Sequence, residues 1–134
     1  MTAAGATIRG RQAAAALMTD TILFAAPGTE TYDDTTGEYT TTPGATIYNG
    51  PCKVQVRTGS PRDAAVGDTE LVIDRLEIHV PVSAADIPPS SVGTITAVGD
   101  ASDPSLVGNQ YRVLGTFAGS FKTARRLPVE LVTP

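Results

Sequence analysis

Short runs of alternating apolar and polar residues, each ended by glycine or proline, constrain this fold most. In LEIHVPV, residues 76–82, Leu, Ile and Val alternate with Glu, His and Pro, and CKVQV at 52–56 alternates apolar residues with Lys and Gln. Such alternation is typical of a strand with one buried face. Thirteen glycines and ten prolines divide the 134 residues into segments of this kind. The pattern predicts one mainly β domain over residues 1–134, a small antiparallel barrel or sandwich of about six to eight strands.

Three segments depart from the strand pattern. Residues 7–18, TIRGRQAAAALM, are rich in alanine and predict a short N-terminal helix, preceded by a flexible arm at residues 1–6. Asp33-Asp34-Thr35-Thr36-Gly37 predicts a hairpin turn with its tip near Asp34–Gly37. Residues 58–69, TGSPRDAAVGDT, have no period and predict a long inter-strand loop, which in a compact domain is usually functional.

The charge balance argues against tight binding to DNA. The net charge is −4, and the longest basic run is Arg125-Arg126, whereas proteins that hold DNA neutralise many phosphates with lysine and arginine. A surface that DNA slides past is compatible with this balance. No stretch approaches the roughly 20 apolar residues of a membrane span. The apolar run before Thr19 is too short for an export signal, so we expect a soluble protein made in a cytoplasm.

Few residues could carry chemistry. His79, the single histidine, lies on the polar side of its strand and is interpreted as an exposed strand or interface residue. Cys52, the single cysteine, is interpreted as a small core residue. The acidic residues Asp33, Asp34 and Glu38, and the pair Asp100 and Asp103, lie where turns favour aspartate and lack the spacing of a calcium loop. We therefore expect no enzyme, no metal and no cofactor.

Six segments in a fixed order resemble a known protein family. They are RGRQAAAALMTDT at 9–21, YDDTTGEYT at 32–40, YNGPCKVQV at 48–56, LEIHVPV at 76–82, DPSLVGNQYRV at 103–113 and TARRLPVE at 123–130. The resemblance spans about residues 8–131, and the order and spacing of these segments carry it. The chain resembles the head-to-tail connector proteins of tailed phages of actinobacteria, in particular the head-closure, or stopper, proteins.

The resemblance implies a structural role in the virion. Small β-barrel subunits would form a ring, expected to be a hexamer, at the head–tail junction between the adaptor protein under the portal and the tail terminator protein. Double-stranded DNA would pass through the ring without tight binding, and a long loop could project into the channel and retain the genome. The candidate channel-loop residues are Thr58, Gly59, Ser60, Pro61, Arg62, Asp63, Gly67 and Asp68.

The helix, the turn, one strand face and the basic cluster are candidates for docking neighbouring subunits or rings. The candidate contact residues are Arg9, Arg11, Asp33, Asp34, Glu38, Arg75, Glu77, His79, Arg125 and Arg126. Two alternatives stay open. The chain could be a tail terminator or another neck protein, or it could belong to a different class, as a small ligand-binding barrel or a hydrolase without a familiar motif. A binding barrel predicts a monomer with a pocket, whereas a connector predicts a ring.

Overall fold

The computed structural model describes residues 2–58, 62–66, 69–71, 74–116 and 118–132, with the backbone alone between residues 57 and 74. One helix, α1, spans Ala3–Ala16. The strands described are β1 Asp20–Ala25, β2 Thr29–Tyr32, β3 Tyr39–Thr42, β4 Thr46–Thr58, β5 Arg62–Val66, β6 Thr69–Leu71, β7 Asp74–Val80, β8 Val92–Ala97, β9 Gln110–Val113 and β10 Arg125–Leu131. A short 3-10 turn covers Pro104–Leu106.

Six of these strands close into a barrel in the order β1-β4-β7-β10-β9-β8. Every neighbouring pair is antiparallel. Closure leaves no free strand edge in the barrel itself, which removes the usual site of edge-to-edge aggregation. The predicted small antiparallel barrel with a short N-terminal helix is confirmed.

Side chains fill the inside of the barrel. Strand β1 alternates buried and half-buried positions, and its Ile22 and Phe24 are fully buried with Ile78, Val80 and Ile95 from the facing strands. Each such side chain contributes about 1.5–3 kcal/mol by leaving water. Gly93 leaves room for this packing, since a Cβ there would stand 2.6 Å from a Phe24 ring carbon. The core is therefore a packed interior of the kind that small barrels have.

Helix α1 begins earlier than the sequence pattern predicts. Its N-cap is Thr2, whose side-chain oxygen accepts a hydrogen bond from the Gly5 backbone N–H at 3.0 Å. The prediction of a flexible arm at residues 1–6 and a helix at 7–18 is thus wrong at both ends, since the helix covers Ala3–Ala16. The reason is the capping hydroxyl, which satisfies an otherwise unpaired amide and lets the first alanines join the helix.

The segment predicted as a long loop also needs correction. Strand β4 runs on to Thr58, and β5 then pairs antiparallel with β6 through Arg62↔Leu71 and Val66↔Thr69. Within the predicted loop, residues 62–66 and 69 therefore lie in a second hairpin, β5–β6, while residues 59–61, 67 and 68 lie outside the described residues. The alternation was hidden because alanine and aspartate, which fill RDAAV, are poor strand formers.

The connections alternate between the two ends of the barrel, because all neighbouring strands are antiparallel. At the upper end lie the connections 26–45, 81–91 and 114–124; at the lower end β4 leads to β7 and β8 leads to β9. The upper connection 26–45 carries a first hairpin, β2–β3. The second hairpin, β5–β6, follows the lower end of β4. Strand β4, 13 residues and about 40 Å long, thus has one hairpin before it and one after it.

Candidate functional site

The first hairpin projects from the barrel with its side chains in solvent. All eight residues of β2 and β3 are exposed. The register runs from Thr29↔Thr42 to Tyr32↔Tyr39, and the two tyrosine rings pack with their centroids 5.1 Å apart. Both outer strand edges remain available for pairing, as edge strands are. The hairpin is ordered locally but buries none of its own residues.

Its turn is held by Asp33. The Asp33 N–H donates to the Glu38 carbonyl at 2.9 Å, and the Asp33 carboxylate accepts from the Thr35 N–H at 2.8 Å. That second hydrogen bond is the main reason why the pKa of Asp33 is lowered. Gly37 closes the turn with φ +69°, a conformation that glycine adopts without strain. The predicted turn tip near Asp34–Gly37 is confirmed.

The first hairpin also holds a concentrated negative charge. Between residues 27 and 45 the sequence has Glu30, Asp33, Asp34 and Glu38 and neither lysine nor arginine. The net charge of the whole chain is −4, so the remainder of the molecule is close to neutral. An exposed acidic projection of this kind is attracted to a cationic surface and repelled by DNA.

A groove at the upper end of the barrel is rich in cations. It has a volume of about 490 Å³ and is lined by Val82, Asp86, Ile87, Pro88, Pro89, Thr116, Ala118, Gly119, Lys122, Arg125, Arg126 and Leu127. We call it the basic groove. Its charges are those of Lys122, Arg125, Arg126 and a single carboxylate, Asp86, which accepts a hydrogen bond from Arg125 Nη1 at 3.0 Å. Arg125 is thus partly neutralised, and the formal charges of the lining side chains, three positive and one negative, sum to +2.

His79 lies in a row across three strands of the outer barrel wall. It is in register with Lys53 on β4 and with Arg126 on β10. The prediction that it is exposed is wrong, because His79 is only 8% exposed and lines a small cavity with residues of the helix end, Ala14 and Leu17. Helix α1 lies over this part of the wall, and the sequence alone does not show that contact.

Burial lowers the pKa of His79 and favours the neutral imidazole. Its Nε2 lies 3.1 Å from Glu77 Oε2, a contact that raises the pKa and so opposes part of this shift. Arg126 and Lys53 add to the lowering by charge repulsion. The geometry makes His79 a buried hydrogen-bonded group of the wall.

The other predicted contact residues are scattered. Arg9 is exposed on α1, whereas Arg11 Nε donates to the Lys122 carbonyl at 3.0 Å and fixes the helix to the connection before β10. Arg75 is exposed on β7, beside the half-buried Glu77. The structure therefore brings together Glu77, His79 and Arg126 on one wall, and Arg125 and Arg126 in the basic groove, but leaves Arg9 and Arg75 apart.

Most of the candidate channel-loop residues lie outside the described residues. Thr58 ends β4, and Arg62 and Asp63 lie in the backbone of β5. The remaining five, Gly59, Ser60, Pro61, Gly67 and Asp68, lie outside the described residues. The sequence interpretation also missed Tyr32, Tyr39 and Lys53 as surface features. The symmetric spacing of the tyrosines around the turn was the available signal for the first two.

Cys52 and the acidic side chains are the remaining candidates for catalysis or metal binding among the described residues. Cys52 is buried, and burial, with a smaller contribution from nearby Asp20, raises its pKa to about 12, so its thiol is protonated at neutral pH. The described part of the chain contains no group of three histidine, cysteine or acidic side chains placed to hold a metal ion. Within that same part, no helix is long and apolar enough to cross a membrane.

Comparison with known proteins leads to one family. No curated protein and no solved structure matches the chain. A family profile does match it over residues 10–130, a stretch that begins inside α1 and ends one residue before the end of β10. The match covers nearly the whole barrel, and the chain therefore belongs to DUF6093, a family of unknown function.

Proposed function

We propose that this protein is the head-closure, or stopper, subunit of a long-tailed phage. In this proposal a ring of subunits lies at the head–tail junction between the adaptor and the tail terminator, surrounds the DNA channel and retains the packaged genome. The observation that carries the proposal is the placement of two hairpins, β2–β3 and β5–β6, at opposite ends of β4 on a closed barrel. A ring subunit beside a DNA channel needs one surface that binds other subunits and one that reaches the DNA, and hairpins at the two ends of β4 suit that division.

The nature of the first hairpin supports an assembly role. A two-stranded hairpin without a buried face is marginally stable on its own, because it removes little apolar surface from water. Here all eight strand residues are exposed, and Tyr32 and Tyr39 are 52% and 70% exposed. Exposed tyrosines on a projecting strand pair are frequent anchors of protein interfaces. Partner binding would provide the burial that the single subunit lacks.

The charge distribution supports a role beside passing DNA. The net charge is −4, and its excess lies on the first hairpin. A channel protein that bound phosphates tightly would hold back the DNA, whereas a near-neutral or acidic wall lets it slide. The second hairpin, at the other end of β4, is the candidate for the segment that enters the channel and holds the genome.

The packed core argues against a small ligand inside the barrel. Barrels that bind a small molecule hold it in their interior or mouth. In this barrel the interior is occupied by fully buried side chains such as Phe24, Ile22 and Ile78, so a small ligand would have to bind in the basic groove at the upper end. A tail terminator or another neck protein would share the surfaces described above, and position in the virion distinguishes these roles.

The test is cryo-electron microscopy of virions that carry the protein with a C-terminal tag, with untagged virions as the control. We expect the tag at the head–tail junction, in a ring directly below the adaptor, with β5–β6 facing the channel. A ring at the lower boundary with the tail tube would assign the protein as a terminator instead. Absence from the virion would remove the connector function altogether, and β5–β6 on the outer surface would remove the genome-retaining role.

A further inference from the structure

We propose that the first hairpin of one subunit docks in the basic groove of a second copy of this chain, and that this contact joins neighbouring subunits of the ring. The inference rests on the proposed function, because it names the interface by which that ring would form. It assigns the first hairpin to contacts within the ring, and it leaves the second hairpin as the candidate channel segment.

The charges of the two surfaces are complementary. Glu30, Asp34 and Glu38 are exposed on the hairpin. The groove presents Lys122, Arg125 and Arg126 against the single carboxylate of Asp86. Arg125 follows the inward-facing register of β10, opposite Val80, whereas Arg126 follows the outer register, opposite His79, so the two arginines flank the groove from different faces. An arginine can bind a carboxylate through paired hydrogen bonds, which gives orientation as well as attraction. The acidic turn of the hairpin therefore matches the groove in sign and in chemistry.

The apolar parts match as well. Beside the acidic turn stand the exposed rings of Tyr32 and Tyr39. The groove walls include Ile87, Pro88, Pro89 and Leu127 next to the arginines. Tyrosine rings pack on such surfaces and are attracted by guanidinium groups above their faces. Interfaces usually combine a central aromatic anchor with charged residues around it, and the hairpin and groove together supply both.

The positions of the two surfaces allow a ring. The hairpin and the groove both lie at the upper end of the barrel. In a ring whose axis is parallel to the barrel, the hairpin of one copy is therefore at the same height as the groove of the next copy. From Gly28 to Asp34 the hairpin reaches about 20 Å. No residue of the hairpin lines the groove of its own chain. Two different patches that bind each other form a heterologous contact, which closes into a ring when the rotation permits.

The experiment measures self-association of the full chain by sedimentation velocity, from micromolar to millimolar concentration and at low and high salt. We expect concentration-dependent oligomers that weaken with salt, because screening shortens the reach of charges from about 10 Å at 0.1 M salt to about 3 Å at 1 M. Asp34→Lys should raise the dissociation constant about tenfold or more, since it places like charges together. Asp100→Lys is the matched control, because it makes the same change of charge on an exposed residue at the lower end.

A charge exchange makes the test specific to this pair of surfaces. The double variant Asp34→Lys/Glu38→Lys and the double variant Lys122→Glu/Arg125→Glu should each lose association, and an equimolar mixture of the two should regain it. A wild-type chain that stays monomeric at millimolar concentration, or equal effects of Asp34→Lys and Asp100→Lys, would overturn the docking inference. Those results leave the virion experiment unaffected, whereas a self-associating chain absent from virions would overturn the connector function and keep the interface.

Discussion

The barrel and the first hairpin are built from the same antiparallel pairing but differ in what they bury. On β1 every second side chain is buried, whereas on β2 and β3 all side chains are exposed. Each backbone hydrogen bond contributes only about 0.5–1.5 kcal/mol net, because folding exchanges it for a bond to water. The comparison indicates that pairing sets the shape of both regions, while burial makes only the barrel stable by itself. The hairpin is held in place by its connection to the barrel, and its side chains remain exposed.

The largest difference in stability between the two regions is expected when one aromatic side chain is truncated in each of them. Phe24→Ala should lower the free energy of unfolding by about 3–5 kcal/mol, because it leaves a cavity in the filled core. Tyr39→Ala on the hairpin should lower it by less than about 1 kcal/mol, because its ring touches Tyr32 and solvent. Urea unfolding followed by circular dichroism measures both. Equal losses would show that the hairpin belongs to the cooperative core and would break the comparison.

A smaller difference is expected between two aspartates that bind the backbone. Asp20 is buried, and its Oδ1 accepts from the Gly99 N–H at 3.0 Å and from the Ser102 hydroxyl. Asp20→Ala should cost about 1–3 kcal/mol, because it leaves these donors unpaired in the protein interior. Asp33→Ala removes a similar bond in the exposed hairpin turn, where water replaces it, and should cost less. Thermal unfolding of both variants gives the order, and the reverse order would contradict the account.

The pH dependence of stability separates the regions further. Burial lowers the pKa of His79 in the folded state, so the unfolded chain binds a proton that the folded chain excludes. Stability should therefore fall as the pH drops below about 6.5, the ordinary histidine value. The charged groups facing His79 are Glu77 on its own strand, Lys53 on β4 and Arg126 on β10. Urea unfolding at a series of pH values measures this loss.

His79→Gln is the matched control for that series. It should flatten the dependence between about pH 7 and pH 5. The hairpin responds in a separate window: the pKa of Asp33 is lowered, so its contribution is present at neutral pH and is lost only as the pH falls below its ordinary value of 3.8. A slope unchanged by His79→Gln would show that other groups carry the dependence.

The smallest effect on stability is expected from removing the hairpin altogether. Replacement of residues 29–42 by Asn-Gly keeps the hydrogen bond from the Ala26 N–H to the Ala45 carbonyl, which closes the base of the connection. The free energy of unfolding should change by less than about 1 kcal/mol, since loop length has a weak effect on chain entropy. The same change should abolish self-association. A large loss of stability would show that the hairpin supports the barrel.

The positions of the strands and of the first hairpin turn were the part of the fold that the sequence predicted. Ile78 and Val80 are buried as the alternation of LEIHVPV predicts, and the turn of the first hairpin follows from its aspartate and glycine. These features depend on neighbours within a few residues. Strand pairing in a barrel depends on distant segments, and neither its order nor its closure can be read from local alternation.

The site was less predictable for the same reason. His79 occupies a polar strand position, and the cavity that it lines is shared with Ala14 and Leu17 at the helix end, more than 60 residues earlier in the sequence. The basic groove joins Asp86 and Pro88 to Arg125, which are brought together by the closure of the barrel. Arg125 and Arg126 were predicted as contacts from their charge. The groove that they line could not be predicted, because it forms between segments that are distant in the sequence. The resemblance to phage connectors remains a prediction.

Strand β4 makes the molecule mechanically continuous from one hairpin to the other. It is hydrogen-bonded to β1 along its upper half and to β7 along its lower half, from Thr46 to Thr58. Tension applied along this strand loads all of those hydrogen bonds at once in shear, rather than opening them one after another. In the proposed connector, the pressure of confined DNA on the lower hairpin would be transmitted along β4 to the upper hairpin. Subunits joined at the upper end would then share that load around the ring.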